Sequence, residues 1–317
     1  MNQFMENFYA DGSLLVLWGA LILNWLIPIP KQSHLMVLWQ KFGLILSDKV
    51  NKPDSYKQNL LSGTLASLLM IVPAVIVLIA LSPLVWQSQL FDLALLILAL
   101  DLRNLRHLSS ELIEFLSKED KASARTLLEG WLNRKTTTLS LVGIGKAGVE
   151  TVLTGTARNL ICVVFWYGWL GGIGALTFRI ISELHHIWSP SRAEFHPFGL
   201  FTYKLLALIE TIPVSLFAVL LFIGKDTMSH LRLILQQAAS WTSPHIGALL
   251  AITGTKFNLS LGGPALYEHR KSVRTKLGGR IAPSSYHLSL VQRYLTQRIL
   301  VWLVLQSIIM FVIHKGF

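Results

Sequence analysis

Apolar runs set the rhythm of this chain. Residues 14–29 are apolar except for Asn24 and end at Pro28 and Pro30. Residues 60–86 form the clearest long run, interrupted by Pro73 and Pro83, and a charge-free link through Gln87 and Gln89 leads to another run over 91–100. Three more follow: 160–181, punctuated by Gly171, Gly172 and Gly174; 205–223, interrupted by Glu210 and Pro213; and 299–313. A helix needs about 20 apolar residues to cross a hydrocarbon core, so these runs predict an all-α polytopic integral membrane protein with about 4–6 transmembrane or re-entrant helices. The internal prolines predict kinks.

Between the runs the pattern changes. Over 101–158, Leu102, Leu105, Leu108, Leu112 and Leu116 recur at three and four residues, which draws one apolar stripe on a water-facing helix. Ser117 to Asp120 resembles a capping box opening a second amphipathic helix with Leu127, Leu128 and Trp131 inward. Without tandem repeats or low-complexity segments, residues 1–317 read as a single membrane domain containing this helical segment.

Composition agrees. Of 317 residues 52% are hydrophobic and 14% charged, against about 25% charged in soluble domains, and mean hydropathy is +0.53. The net charge of +11 sits in segments 31–59, 101–158 and 267–298. The positive-inside rule then places those segments in the cytoplasm of a multi-pass inner-membrane protein, with the lipid bilayer and no nucleic acid as partner. Met1 to Gly12 carries Glu6 and Asp11 without Lys or Arg, which argues against a cleaved signal peptide, so the first run is expected to stay as an anchor. A simple count of spans puts 182–202 outside. If 160–181 dips in and returns, that link lies inside instead, since irregular backbone is tolerated where protein or water covers it. The single cysteine, Cys162, excludes an internal disulfide.

Several polar positions carry candidate chemistry. Gly143, Gly145 and Gly148 spell a dinucleotide-type motif, but no carboxylate follows over 160–181, so a turn at the start of a helix is the better reading. Glu183 and His186 share a helix face and are weak metal candidates, with His185 and His196 nearby. Glu150 and Glu210 lie in apolar surroundings where an ionisable group is costly. Each is either functional or paired with Lys146, Arg158, Arg179 or Lys204. Gly262 and Gly263 allow positive φ and a close backbone approach, as an anion-binding loop requires, or form a plain turn before the basic stretch.

Together these residues resemble the CobD/CbiB family of cobalamin-biosynthesis membrane proteins. Lys146 to Val152 is similar to that family's Arg-Ala-x-Val-Glu-Thr-Val segment, and Leu261, Gly262, Gly263, Pro264 and Tyr267 to its Leu-Gly-Gly-Pro-x-x-Tyr. Arg134, Lys135 and Thr136 follow its Gly-Arg-Asp-Thr, with Lys135 in place of the aspartate. Arg158 likewise stands at an aspartate, and Ser182 to His186 replaces an Asn-Thr-Leu-Asp-Ser run. The resemblance implies ATP-dependent attachment of aminopropanol, or its phosphate, to a propionate of cobyric acid, with ATP and Mg²⁺ required and a corrinoid as substrate. It implies Glu150 and Arg134 as catalytic residues. Lys135, Thr136, Lys146, Thr151, Arg158, Lys204, Gly262, Gly263 and Tyr267 would bind substrate or phosphate, with Arg270 and Lys271 beside them. The rival reading is a catalytically silent accessory or sensor protein of the AmpE type. A transporter should show repeated halves, which this chain lacks.

Overall fold

The computed structural model describes residues 12–26, 35–52, 55–224, 228–267 and 270–314, and their side chains except at 35, 267, 270–272, 313 and 314. The N-terminal residues 1–11, the Pro28 and Pro30 end of the first run, and the side chains of Tyr267, Arg270 and Lys271 therefore lie outside what is described.

In chain order the helices are α1 (Ser13–Leu26), α2 (Leu35–Val50), α3 (Tyr56–Leu81), α4 (Ser88–Ala99), α5 (Leu102–Ser117), α6 (Lys121–Glu129), α7 (Leu141–Thr156), α8 (Val163–Ile187), α9 (Leu200–Phe222), α10 (Leu231–Ala239), α11 (Pro244–Lys256) and α12 (Ser285–His314). A π-helical stretch, Ala157–Cys162, joins α7 to α8. Among the described residues four stretches are long and apolar enough to cross a membrane: Tyr56–Leu84, Leu141–Ile187, Leu200–Phe222 and Ser285–Val312.

The surface is inverted relative to a soluble protein. Helix α3 turns Leu61, Leu65, Leu69 and Val72 outward, and α9 exposes Leu208, Ile212, Leu216 and Val219. Continuous apolar surface of this kind faces lipid. Lipid offers helices no hydrophobic reason to associate, so close packing of small residues and polar contacts must hold them. Gly63 sits where any side chain would meet the Phe198 carbonyl, and Gly148 where it would meet Leu112. The Tyr167 hydroxyl donates to the Ser13 carbonyl at 2.9 Å, tying α8 to α1.

Helix α8 is two arms. Gly171 has φ 63° and ψ −159°, and the chain reverses there. Arg179 Nη1 donates to Asn159 Oδ1 at 2.5 Å across 20 positions, which an unbroken helix would hold about 30 Å apart. The freed Gly172 amide donates to Asp92 Oδ1 on α4 at 3.0 Å. The run 160–181 thus goes in and returns, which corrects the simple span count. Arg179 comes back to Asp101, and Asn51 Nδ2 donates to the Glu194 carbonyl at 2.8 Å. Residues 182–202 therefore lie on the same side of the fold as 35–52 and the start of 101–158.

The leucine stripe of α5 is buried as its spacing predicts, with Leu108 and Leu112 fully enclosed. The capping box is corrected: Ser117 ends α5, and Asp120 alone caps α6, accepting from the Ser123 amide at 3.1 Å. The last span is part of a 30-residue helix, α12, that runs on through the basic Arg293 and Arg298. Two short antiparallel ladders were also not foreseen. β1 (Ser260–Gly262) pairs with β4 (Lys276–Gly278), and β2 (Ala265–Tyr267) with β3 (Arg270–Ser272). Three-residue strands are too short to show a two-residue alternation.

Candidate functional site

Ser140 opens α7 by accepting from the Gly143 amide at 3.2 Å, so the glycines of the dinucleotide-type motif lie inside a helix. Gly145 presses on the Pro283 carbonyl and Gly148 on Leu112; they permit close packing. Downstream, the π-helical stretch carries Arg158 and Asn159. Such bulges re-aim side chains and recur at functional sites.

These side chains face a chamber of about 480 Å³. Helix α7 contributes Thr151 and Thr154, the π stretch Arg158 and Asn159, and the returning arm of α8 Arg179, Glu183, His185 and His186. Gln40 of α2, Asp101, Trp131 and Asn133 complete the wall. Arg179 organises one side, bonding to Glu183 at 2.7 Å and Asp101 at 3.3 Å besides Asn159. Gln40 Nε2 donates to the other Glu183 oxygen at 2.5 Å. On the opposite side Arg158 grips Glu210 with two bonds, 2.7 and 2.9 Å. His245 of α11 meets Glu210 at 3.0 Å. The cation at an aspartate position of the resembled motif is thus neutralised by a glutamate 52 residues on.

A second cleft, about 510 Å³, adjoins through the shared Asn133. Arg134, Lys135, Thr136 and Arg192 line it, with Glu129 as its carboxylate. Formal charges differ between the two. Among lining residues, Asp101 and Glu183 balance Arg158 and Arg179 in the chamber, whereas the cleft carries three cations to one anion, with Arg134 and Arg192 also paired to Glu150 and Glu194 behind it.

Behind the cleft lies Glu150, buried, with both oxygens engaged. Oε1 accepts from the Gly262 amide at 2.8 Å, and Oε2 meets Arg274 at 3.2 Å and Arg134 at 3.5 Å. The Gly-Gly loop does bind an anion, and that anion is the chain's own Glu150. Gly262 (φ 67°) and Gly263 (φ 88°) adopt the left-handed backbone this needs. Lys146 Nζ donates to Ser260 at 3.0 Å and fastens β1 to the same helix. Glu150→Gln keeps the acceptor for Gly262 but removes the charge between two arginines. It is expected to cost about 2 kcal/mol, from the worth of hydrogen bonds to charged groups, and to speed amide exchange at Gly262, read by hydrogen–deuterium exchange.

The fold therefore gathers Arg134, Lys135 and Thr136 at the cleft; Thr151 and Arg158 at the chamber; and Lys146, Glu150, Gly262 and Gly263 between α7 and the loop. Lys204 is exposed on α9, outside the lining of both cavities. Sequence reading missed Gln40, Arg274 and His245 as partners. The Arg179–Glu183 pair, four residues apart on a helix, was legible by spacing.

A divalent cation is a poor match to this donor set. Mg²⁺ wants carboxylates free to coordinate, and Asp101 and Glu183 both face Arg179 while Glu210 faces Arg158. Among the described residues no three His, Cys, Asp or Glu side chains gather as a metal requires. Glu183 and His186, the weak metal candidates, border the chamber with Glu183 held by Arg179 and Gln40.

A family model described as "CobD/Cbib protein" matches residues 17–293. "Cobalamin biosynthesis protein CobD" of Stutzerimonas stutzeri (strain A1501) is 28% identical over 272 residues, covering 85% of this chain and 89% of that protein. The protein of the same description from Chromobacterium violaceum is 26% identical over 243 residues, 76% and 78% of the two chains. "Probable cobalamin biosynthesis protein CobD" of Methanothermobacter thermautotrophicus is 27% identical over 155 residues, 47% and 52% of the two chains. Among solved structures there is no match. Nothing in these matches supports an accessory or sensor protein.

Proposed function

The chain belongs to the CobD/CbiB family, and from that premise we propose that it attaches aminopropanol, or its phosphate, to a propionate carboxylate of cobyric acid in cobalamin biosynthesis, at the expense of ATP. The observation that carries this reading is the pair of adjoining cavities, one lined by balanced charges and one by an excess of cations, meeting at Asn133.

Amide formation makes two demands. The carboxylate must be activated, and the phosphate charge that develops must be neutralised. The cationic cleft suits that demand, with Arg134, Lys135 and Arg192 as donors. The amine must then reach the activated carbonyl and lose a proton. The chamber would take the amine, beside the Asp101 and Glu183 carboxylates of its wall. His185 and His186 complete that part of its wall. Glu150, with both oxygens engaged, becomes a positioning residue that fixes Arg134 and the Gly262 loop. Membrane anchorage in the inner membrane, with the basic segments cytoplasmic, leaves both cavities on the side where ATP is found.

Expression of the full chain in a mutant that lacks cobinamide formation is expected to restore growth on cobyric acid. Failure to do so, with the protein present in the membrane, would refute the enzymatic reading. In the purified protein, Lys135→Ala is expected to raise KM for ATP roughly ten- to hundredfold, the loss of one charge-assisted contact, while kcat changes little. An unchanged KM would remove Lys135 from the phosphate site.

A further inference from the structure

Helix α2 has two faces that require different surroundings. Its inner face is bonded into the protein. Trp39 Nε1 donates to the Ile180 carbonyl at 3.1 Å, and Trp188 Nε1 to the Gly43 carbonyl at 3.1 Å. On that side Gln40 holds Glu183 and borders the chamber. The outer face is apolar and bare: Leu38 is 53% exposed, Phe42 63% and Ile45 54%. Their spacing of four and three residues makes one continuous stripe.

Two observations say what covers that stripe. Helix α2 packs beside α3, whose Leu61, Leu65 and Leu69 face outward along a stretch long and apolar enough to span a bilayer. The bare face of α2 thus adjoins a helix whose outward side is apolar enough to face lipid. Its border is cationic. Lys41 is exposed beside the stripe and Lys49 closes it one turn beyond Ile45, with Lys52 and Lys57 just beyond and Asp48 as the carboxylate within α2. An apolar face rimmed by lysines is the pattern of a helix lying in a membrane surface rich in anionic headgroups.

We propose that α2 lies in the plane of the bilayer surface, with Leu38, Phe42 and Ile45 in the acyl boundary and Lys41 and Lys49 on acidic phospholipid headgroups. One helix then separates lipid from the chamber, with Phe42 on one side and Gln40 on the other. This inference is independent of the reaction the chamber performs.

The test uses the full chain with a nitroxide on Phe42→Cys, and in a second protein on Ile45→Cys. The native Cys162 is buried and leaves the label a single site. The proteins are placed in discs of phosphatidylcholine with or without an equal part of phosphatidylglycerol. In acidic discs both labels are expected to collide severalfold more with oxygen, which partitions into lipid, than with a water-soluble nickel chelate. That preference is expected to shrink at least twofold in neutral discs or on adding Lys41→Glu and Lys49→Glu. Labels more accessible to nickel would overturn the proposal by placing α2 in water. Labels reached by neither reagent would overturn it in favour of a protein contact, a second copy of this chain first. A preference indifferent to lipid charge and to both substitutions would overturn the assignment of acidic headgroups.

Discussion

Replacing Arg158 with leucine is expected to destabilise the protein by about 3–5 kcal/mol, the usual cost of breaking one side of a buried ion pair. Glu210 is only 1% exposed, and Arg158 supplies two of its bonds. His245 would remain at 3.0 Å, but a single imidazole cannot replace a guanidinium fork. Glu210→Leu should be damaging for the converse reason, leaving the guanidinium without its counter-ion. The double variant, Arg158→Leu with Glu210→Leu, should recover most of the loss, because removing both charges removes the desolvation penalty with them. Reversible unfolding in mixed detergent micelles measures all three, and the double-mutant cycle isolates the pair. Equal losses in the single and double variants would show that packing, not charge, governs the site. Arg158→Asp, which restores the residue of the resembled motif, is expected to be the worst of the series because it faces Glu210 with a like charge.

Gly171 carries the second large effect. Its φ of 63° and ψ of −159° lie in a region that only glycine occupies readily. A Cβ there would also stand 3.2 Å from Asp92 Oδ2, the carboxylate that caps the Gly172 amide. Gly171→Val is expected to cost at least about 3 kcal/mol, the upper end for a forced backbone conformation, and to open the reversal that brings Arg179 to Asn159. Loss of chamber ligands should therefore accompany loss of stability. Gly130→Ala is the control. It ends α6 with φ −71° and has open space around it, so its effect should stay within about 0.5 kcal/mol. If Gly171→Val melts with the control, the reversal does not depend on glycine.

The class of protein was legible in the chain's local pattern. Run lengths, depleted charge and basic intervening segments are local properties, and they fix a helical membrane protein whatever the packing. The leucine stripe of α5 followed from spacing alone. The resemblance to the CobD/CbiB motifs also pointed to the stretch from Arg134 to Arg158 and to the Gly-Gly loop. Which side chains meet was decided only by tertiary structure. Gly171, Gly172 and Gly174 marked a place where the run could break, yet the reversal is fixed by Asp92, 80 positions away from the amide it caps. Glu150 and Glu210 were both visible as costly ionisable groups in apolar sequence. Their different fates, one holding a loop and one neutralising Arg158, depend on Gly262, Arg274 and His245, which no periodicity connects to them. A buried charge must find its partner in three dimensions, so the sequence shows that a partner is needed while only the fold says which one it is.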